Sequence, residues 1–251
     1  MMAAMATTED QAGWTVELDT TPGRRQAQEE FVLHRADGTD ERIVLHDYAR
    51  VYSVPGLYEE VVQHRLQCAS PTTVAAALVE AAEAEGRTAD GLRAFDLGAG
   101  NGVVGEELRA RGVTVVAGAD GVAEAREAAH RDRPGLYAHY LVGERLDVDE
   151  VTTLVRDEGL TALVAAGAVG EGHVPVDALA QLWDAFPPGS FLALTLAGGE
   201  AGQDATDVEQ MVAATAGTAH PSRTVVRRSF RHRVSMAGDE LHYLVLVAVK
   251  D

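Results

Sequence analysis

Past residue 91 the chain alternates short apolar runs with longer segments whose apolar positions return every three or four residues. The runs predict strands at 92–97, 113–119, 139–143, 161–167 and 190–197. The longer segments predict helices near 102–111, 122–131, 148–158, 176–186 and 205–217. Strand and helix in strict alternation, joined by short connections, imply a parallel sheet covered on both faces. The tail breaks the rhythm. Segments 224–235 and 240–249 are both strand-like, and Ala237-Gly-Asp239 is too short a link for a parallel crossover, so they form an antiparallel hairpin. The expected fold is α/β: a doubly wound, seven-stranded sheet with an antiparallel C-terminal hairpin.

Upstream the pattern is different. Trp14–Leu18, Glu30–Arg35 and Arg42–His46 read as strands, the last two turning at Asp37-Gly38. His46–Tyr58 is dense in aromatics and broken at Pro55-Gly56, and a short helix then runs to about Leu66. Ser70-Pro71 opens a helix, with Ser70 as N-cap and Pro71 at the first helical position, that ends at Glu85-Gly86. Residues 1–13 have no period and read as a disordered tail. The expected division is tail 1–13, a small β-hairpin and helical cap 14–88, and an α/β domain 89–251.

Composition narrows the function. The chain has 251 residues and a formal net charge of −18, which repels a phosphate backbone and disfavours nucleic acid as partner. Five arginines between Arg223 and Arg233 run against that trend; they are either a guarded strand edge or an anion site. No apolar run approaches the roughly 20 residues of a membrane helix. The start has no signal-peptide pattern, so the expected location is cytoplasmic and a membrane partner is not expected. Cys68 stands alone, which leaves no intrachain disulfide and no multi-cysteine metal site; no metal is expected.

The chemistry concentrates after the first parallel strand. Ala94-Phe-Asp-Leu-Gly-Ala-Gly-Asn-Gly102 runs straight into a helix. Glycines 98, 100 and 102 remove three side chains where the backbone turns, which permits positive φ and lets a ligand lie against the main chain. Asp96 puts a carboxylate at the strand end, where an ammonium or sulfonium is welcome and a pyrophosphate is not. The second strand ends in Gly118-Ala-Asp120 and the third in Gly143-Glu144, with Asp147 a rival. In a doubly wound sheet these ends lie side by side, so Asp120 can accept both hydroxyls of a ribose. Glu144 can hold an adenine amine.

The segment Asp96–Gly102 resembles the first motif of the class I S-adenosylmethionine-dependent methyltransferases, and Gly118-Ala-Asp120 is similar to the acid at the end of their second strand. Ala185-Phe-Pro-Pro-Gly-Ser190 before the fifth strand, and the terminal hairpin, fit the same pattern over roughly residues 90–250. The resemblance implies S-adenosyl-L-methionine as cofactor and a small-molecule methyl acceptor. Asp96 with Gly98, Ala99, Gly100 and Gly102 would then hold the methionine part, Asp120 and Gly121 the ribose, and Glu144 the adenine. Ala166 would line the site from the fourth strand. Two positions depart from the family: Glu144 stands where many relatives have Asp, and Ser190 replaces a second glycine.

Acceptor chemistry is expected after the fourth strand, in Ala168-Val-Gly-Glu-Gly-His-Val-Pro175. His173 is either a general base or a solvent-facing loop residue, and Glu171 is a weaker candidate base. The Asn/Asp-Pro-Pro-aromatic motif of amino-directed nucleic-acid methyltransferases is replaced here by Ala166-Gly-Ala-Val169. Tyr48, Tyr52 and Tyr58 either cap a sulfonium or fill a core, and His46 and Asp47 sit where they can reach an acceptor. The upstream hairpin is a lid or a contact in a homodimer. Two competing readings remain. Gly100-Asn-Gly-Val-Val-Gly105 also satisfies Gly-x-Gly-x-x-Gly, which suits an NAD-dependent oxidoreductase, and a non-catalytic cofactor-binding protein can share the fold.

Overall fold

The computed structural model describes residues 13–170, 173–198 and 202–251; the expected tail and Glu171 lie outside them, Gly13 apart. Among the described residues the strands form two sheets. The first is antiparallel, in the order β1 (Trp14–Leu18), β2 (Glu30–Arg35), β3 (Asp40–Val44). The β2–β3 turn closes as the pattern predicts, with the Asp37 carboxylate accepting from the Thr39 N–H at 2.9 Å and Gly38 at φ +84°.

The second sheet has seven strands: β4 (Arg93–Leu97), β5 (Thr114–Asp120), β6 (His139–Val142), β7 (Ala162–Ala166), β8 (Phe191–Leu196), β9 (Ser222–Val234) and β10 (Glu240–Lys250). Their spatial order is β6-β5-β4-β7-β8-β10-β9. The first five run parallel, and β10 enters antiparallel to both β8 and β9, pairing Leu246 with Leu194. The expected doubly wound sheet with its reversed hairpin is the observed one.

Side chains alternate across this sheet with the period of two that a strand imposes. Leu192, Leu194 and Leu196, with Leu244 and Leu246, enter one core beside Leu179, Trp183 and Val208. Phe191 and Ala193, with Val245, Val247 and Val249, enter the other beside Val74, Leu78 and Leu108. The first core is covered by α5 (Val148–Glu158), α6 (Val176–Asp184) and α7 (Gln203–Ala214); the second by α2 (Ser70–Ala84) and α3 (Val103–Ala110). Capping fixes α5 at both ends: Asp147 accepts from the Asp149 and Glu150 N–H groups, and Gly159 closes the helix at φ +61°.

Two expectations change. Helix α2, grouped with the cap on sequence grounds, is one of the layers of the main sheet. Ser70 does not cap it; the N-cap is Ala69, and the Ser70 hydroxyl is drawn to His232 at 2.8 Å and Thr195 at 3.1 Å. The cap itself consists of the three-stranded sheet, α1 (Tyr48–Ser53) and a π-helix over Glu59–Arg65. Its core of Phe31, Leu33, Leu57, Val61 and Leu66 is separate from those of the main sheet, and α4 (Ala123–Asp132) joins it through Ala125 and Ala128 against Tyr52.

Candidate cofactor and acceptor site

The strand ends of β4, β5, β6 and β7 converge on a cavity of about 580 Å³, within the range of small-molecule sites. Gly98, Asp120, Gly121, Glu144, Ala166, Tyr52, Tyr58 and His173 all line it, so eight sequence candidates meet in one place. Asp96, Ala99, Gly100 and Gly102 do not.

The loop explains the split. Gly98, Gly100 and Gly102 all have positive φ, at +72°, +54° and +94°. Their bare faces, however, look at different things. A Cβ at Gly100 would lie 2.2 Å from the Tyr52 hydroxyl, and one at Gly102 would lie 2.8 Å from Leu136 and 3.3 Å from Tyr137. The chain's own side chains thus fill those two hollows, and Ala168 fills the third, its Cβ 2.3 Å from where one at Gly98 would lie; of the three only Gly98 still borders the cavity. Ala99 borders a smaller hollow behind it.

Asp96 is the larger correction. In place of a carboxylate beside the ligand, it is a fully buried group beneath the loop that accepts from the Tyr137 hydroxyl at 2.7 Å, while its Oδ1 has no partner. Burial, partly offset by that hydrogen bond, pushes its pKa up to about 7. It supports the loop from below rather than facing the cavity.

Asp120 ends β5 as expected. Its Oδ2 accepts from the Gly100 N–H at 2.9 Å and its Oδ1 from the Val122 N–H at 3.2 Å, which fixes the carboxylate on the cavity wall. Burial raises its pKa, and the three backbone N–H groups around it work in the opposite direction. Both oxygens keep further acceptor capacity. Beyond it Gly121 is open: a Cβ there would meet only the Glu144 Cα, at 4.0 Å. Glu144 is an exposed rim residue, and its rival Asp147 is engaged as the cap of α5.

Sequence reasoning missed the apolar walls of this end, Val122, Leu146, Val148 and Leu182, and the polar Asp177 and Gln181 from α6. Their signal was weak because each is an ordinary residue in its own element. Tyr48, Tyr52 and Tyr58 form a ladder over the other end, with ring centroids 6.0 and 5.0 Å apart. A polar latch holds the cap against the loop: Glu59 accepts from Asn101 at 2.5 Å and Arg133 at 2.8 Å, and Arg133 also donates to the Asn101 carbonyl.

Behind Gly98 the cavity continues into the smaller hollow, of about 100 Å³. His173 borders both, open to solvent on one side, and burial of the other lowers its pKa. His46 stands 6.2 Å from it, ring centroid to centroid. The arginines of β9 are not an anion site. Arg223 pairs with Glu85 and Asp251, Arg227 with Glu209, Arg228 with Glu80, and Arg231 with Gln67, while Arg233 forms a buried ion pair with Glu29 of the cap.

No protein-family model and no curated protein matches the chain. Solved structures do. A SAM-dependent methyltransferase from Anabaena variabilis superposes with a TM-score of 0.53 at 14% identity, covering 83% of this chain and 96% of that one. This chain has the class I methyltransferase fold. Magnesium protoporphyrin IX methyltransferase from Synechocystis, solved with bound SAH, matches at a TM-score of 0.44 and 16% identity, over 72% of this chain and 83% of that one. Precorrin-6y C5,15-methyltransferase from Geobacter metallireducens matches at 0.43 and 10%, over 64% and 80%.

The residues present suit S-adenosylmethionine. Gly121 leaves backbone bare along the cavity, Gly98 borders it with Ala168 against its own open face, Asp120 holds a carboxylate with unused lone pairs beside Gly121, and apolar side chains flank the far end. No described helix is long and apolar enough to cross a membrane.

Proposed function

We propose that this protein is an S-adenosylmethionine-dependent methyltransferase acting on a small molecule. The observation that carries the reading is Asp120, fixed by two backbone N–H groups on the wall of a 580 Å³ cavity at the C-terminal ends of parallel strands. Brought to the fold this chain has, that carboxylate receives the ribose hydroxyls. Glu144 reaches the adenine amine from the rim, between walls made by Val122, Leu146 and Val148. Gly98 and Ala166 border the methionine part, and Tyr52 and Tyr58, which line the same cavity, are the aromatic groups available to a sulfonium there.

When bound, the cofactor supplies an electrophilic methyl group. The chain's part is to align the acceptor, exclude water and receive a proton. His173, whose pKa is lowered by partial burial, is the expected proton acceptor on the open side; Glu171, outside the described residues, is a second candidate for that role. A cytoplasmic setting keeps the lone Cys68 reduced. A net charge of −18 and arginines already paired with acids favour a free metabolite over nucleic acid as acceptor.

Calorimetry with S-adenosylhomocysteine and NAD side by side tests the reading. Binding of the first and not the second is expected. Binding of NAD alone would replace the methyltransferase with an oxidoreductase.

A further inference from the structure

The amino-acid tail of S-adenosylmethionine carries an ammonium and a carboxylate, and the glycine loop offers that pair no open face. The face of Gly100 is taken by the Tyr52 hydroxyl, that of Gly98 by Ala168 and that of Gly102 by Leu136 and Tyr137. Asp96, the acid nearest the loop in sequence, is sealed beneath it. Ala168, Leu136 and Tyr137 belong to the α/β domain, and Tyr137 is fixed by its bond to Asp96. Tyr52 alone comes from the cap, in α1, so a movement of the cap uncovers Gly100 without moving a strand of the main sheet.

The cap is held differently on its two sides. On the hairpin side the hold is buried: Glu29 pairs with Arg233 and accepts from the Met236 N–H at 2.7 Å, and Met236 enters the cap's own core. Backbone bonds add to it, from the Val234 N–H to the Leu66 carbonyl at 2.9 Å and from the Ala69 N–H to the His232 carbonyl at 2.7 Å. On the loop side the hold is polar, with Glu59 accepting from Asn101 and Arg133 and with Arg131 donating to the Tyr52 carbonyl at 3.2 Å. The apolar cluster there is small, with Tyr52, Ala125 and Ala128 as its buried members. A body tethered in this way pivots on the hairpin and parts from the loop.

The closed cap is strained next to its latch. Glu59–Arg65 is a π-helix, a rare form that recurs at functional sites. Gln67, just beyond it, has φ +55° and is the one non-glycine residue at positive φ among the described residues. Glu59 Oε2 and Gln63 Nε2 are sealed from water without a hydrogen-bond partner. Each of these raises the free energy of the closed form, and opening on the loop side returns water to Glu59.

Resting on the methyltransferase reading above, we propose that the cap is a self-occluding lid and that Tyr52 is its gate. With the lid closed the larger cavity admits a nucleoside. It admits the amino-acid tail when the cap pivots on the β9–β10 hairpin and draws the Tyr52 hydroxyl off Gly100. The latch of Glu59 with Asn101 and Arg133 sets how often that happens. A ligand that needs a minor conformation has its apparent affinity reduced by the open fraction and associates more slowly, so the gate discriminates between nucleosides with and without the tail.

The test compares S-adenosylhomocysteine with methylthioadenosine, which has the same nucleoside and a thioether but no amino-acid tail, by their rates of association with the immobilised whole chain. The methylthioadenosine rate is expected to rise in proportion to concentration, and the S-adenosylhomocysteine rate to level off at the rate of opening. Glu59→Gln, which keeps the shape of the side chain and removes its charge, is expected to raise that plateau about fivefold and to leave the methylthioadenosine rate unchanged. Tyr52→Phe, which removes the hydroxyl and keeps the ring, is expected to speed S-adenosylhomocysteine as well and serves as the second variant if the first does not fold. A proportional rise for S-adenosylhomocysteine, no binding of methylthioadenosine, or an equal effect of Glu59→Gln on both ligands would overturn the gate while leaving the cofactor reading intact. Failure of S-adenosylhomocysteine to bind the wild-type chain would overturn the cofactor reading and the gate with it.

Discussion

The larger cavity takes Gly98, Asp120, Glu144 and Ala166 from within two residues of the ends of four neighbouring parallel strands. The smaller hollow takes His46, Cys68, His173 and His232 from four segments that meet only in the finished fold. The first is a property of sheet topology, since parallel strands deliver their ends to one edge whatever lies between them. The second depends on where the cap docks, and docking rests on a few specific contacts: the Glu29–Arg233 pair, the Glu59–Arg133 latch and Tyr52 seated over Gly100. The cap reaches both, since Tyr48, Tyr52 and Tyr58 line the larger cavity as well, so perturbing it should disturb the smaller hollow more than the larger one.

The largest effect is expected at the cap. Glu29→Ala leaves the Arg233 guanidinium buried without its counter-charge and the Met236 N–H without its 2.7 Å acceptor. A loss of about 3–5 kcal/mol in unfolding free energy is expected. Denaturant titration reads this, and a loss below about 1 kcal/mol would mean that the pair does not hold the cap.

Under the loop, Asp96 makes stability depend on pH. Its folded pKa of about 7 lies above the ordinary 3.8, so between those values the unfolded chain releases a proton that the folded chain retains. Stability contributed by the protonated form is complete at low pH and falls as pH rises, levelling off above about 7. From pH 5 to pH 8 the expected fall is about 3 kcal/mol. Asp96→Asn should flatten it, and an equal slope in both proteins would rule out this group as the source.

Gly98→Ala sharpens the contrast from the other side. The new Cβ would sit 2.3 Å from that of Ala168 at a φ of +72°, so the loop must shift. A cost of about 2 kcal/mol in stability is expected, together with at least tenfold weaker binding of S-adenosylhomocysteine. Undiminished binding would show that the cofactor does not lie along Gly98. Asp120→Ala should weaken the same ligand about tenfold, and Glu144→Ala, on the exposed rim, about threefold or less. The reverse order would exchange their roles.

Much of the fold could be read from pattern because the forces that set it are local. Each of the five parallel strands lies within a residue of its expected bounds, and α5 matches its expected 148–158 because both of its caps are written in the chain. The terminal hairpin followed from loop length alone. Glycine positions, by contrast, showed that something would approach the backbone without showing what. Gly98 borders a cavity but receives Ala168, Gly100 receives a tyrosine from the cap, and Gly102 receives Leu136 and Tyr137. Asp96 was misplaced for a related reason: a carboxylate at a strand end can face along the sheet edge or into the helix layer, and the partner that turns it inward, Tyr137, lies 41 residues away. Ser70 precedes a proline as an N-cap should, yet the buried imidazole of His232 outcompetes the helix for its hydroxyl. Of the histidines lining the hollow, His46 and His173 were singled out in the sequence, whereas nothing local pointed to His232 within β9, and nothing showed that the three would meet.

Glu29 and Arg233 are 204 residues apart, and their pairing ties the earliest sheet to the last hairpin. On a ribosome, then, the parallel strand ends around Asp120 emerge first, but the cap cannot be tied down until the final strands follow. Fragments ending before residue 233 should therefore leave Glu29 without its counter-charge and the cap loosely held, however well their remaining strands pair.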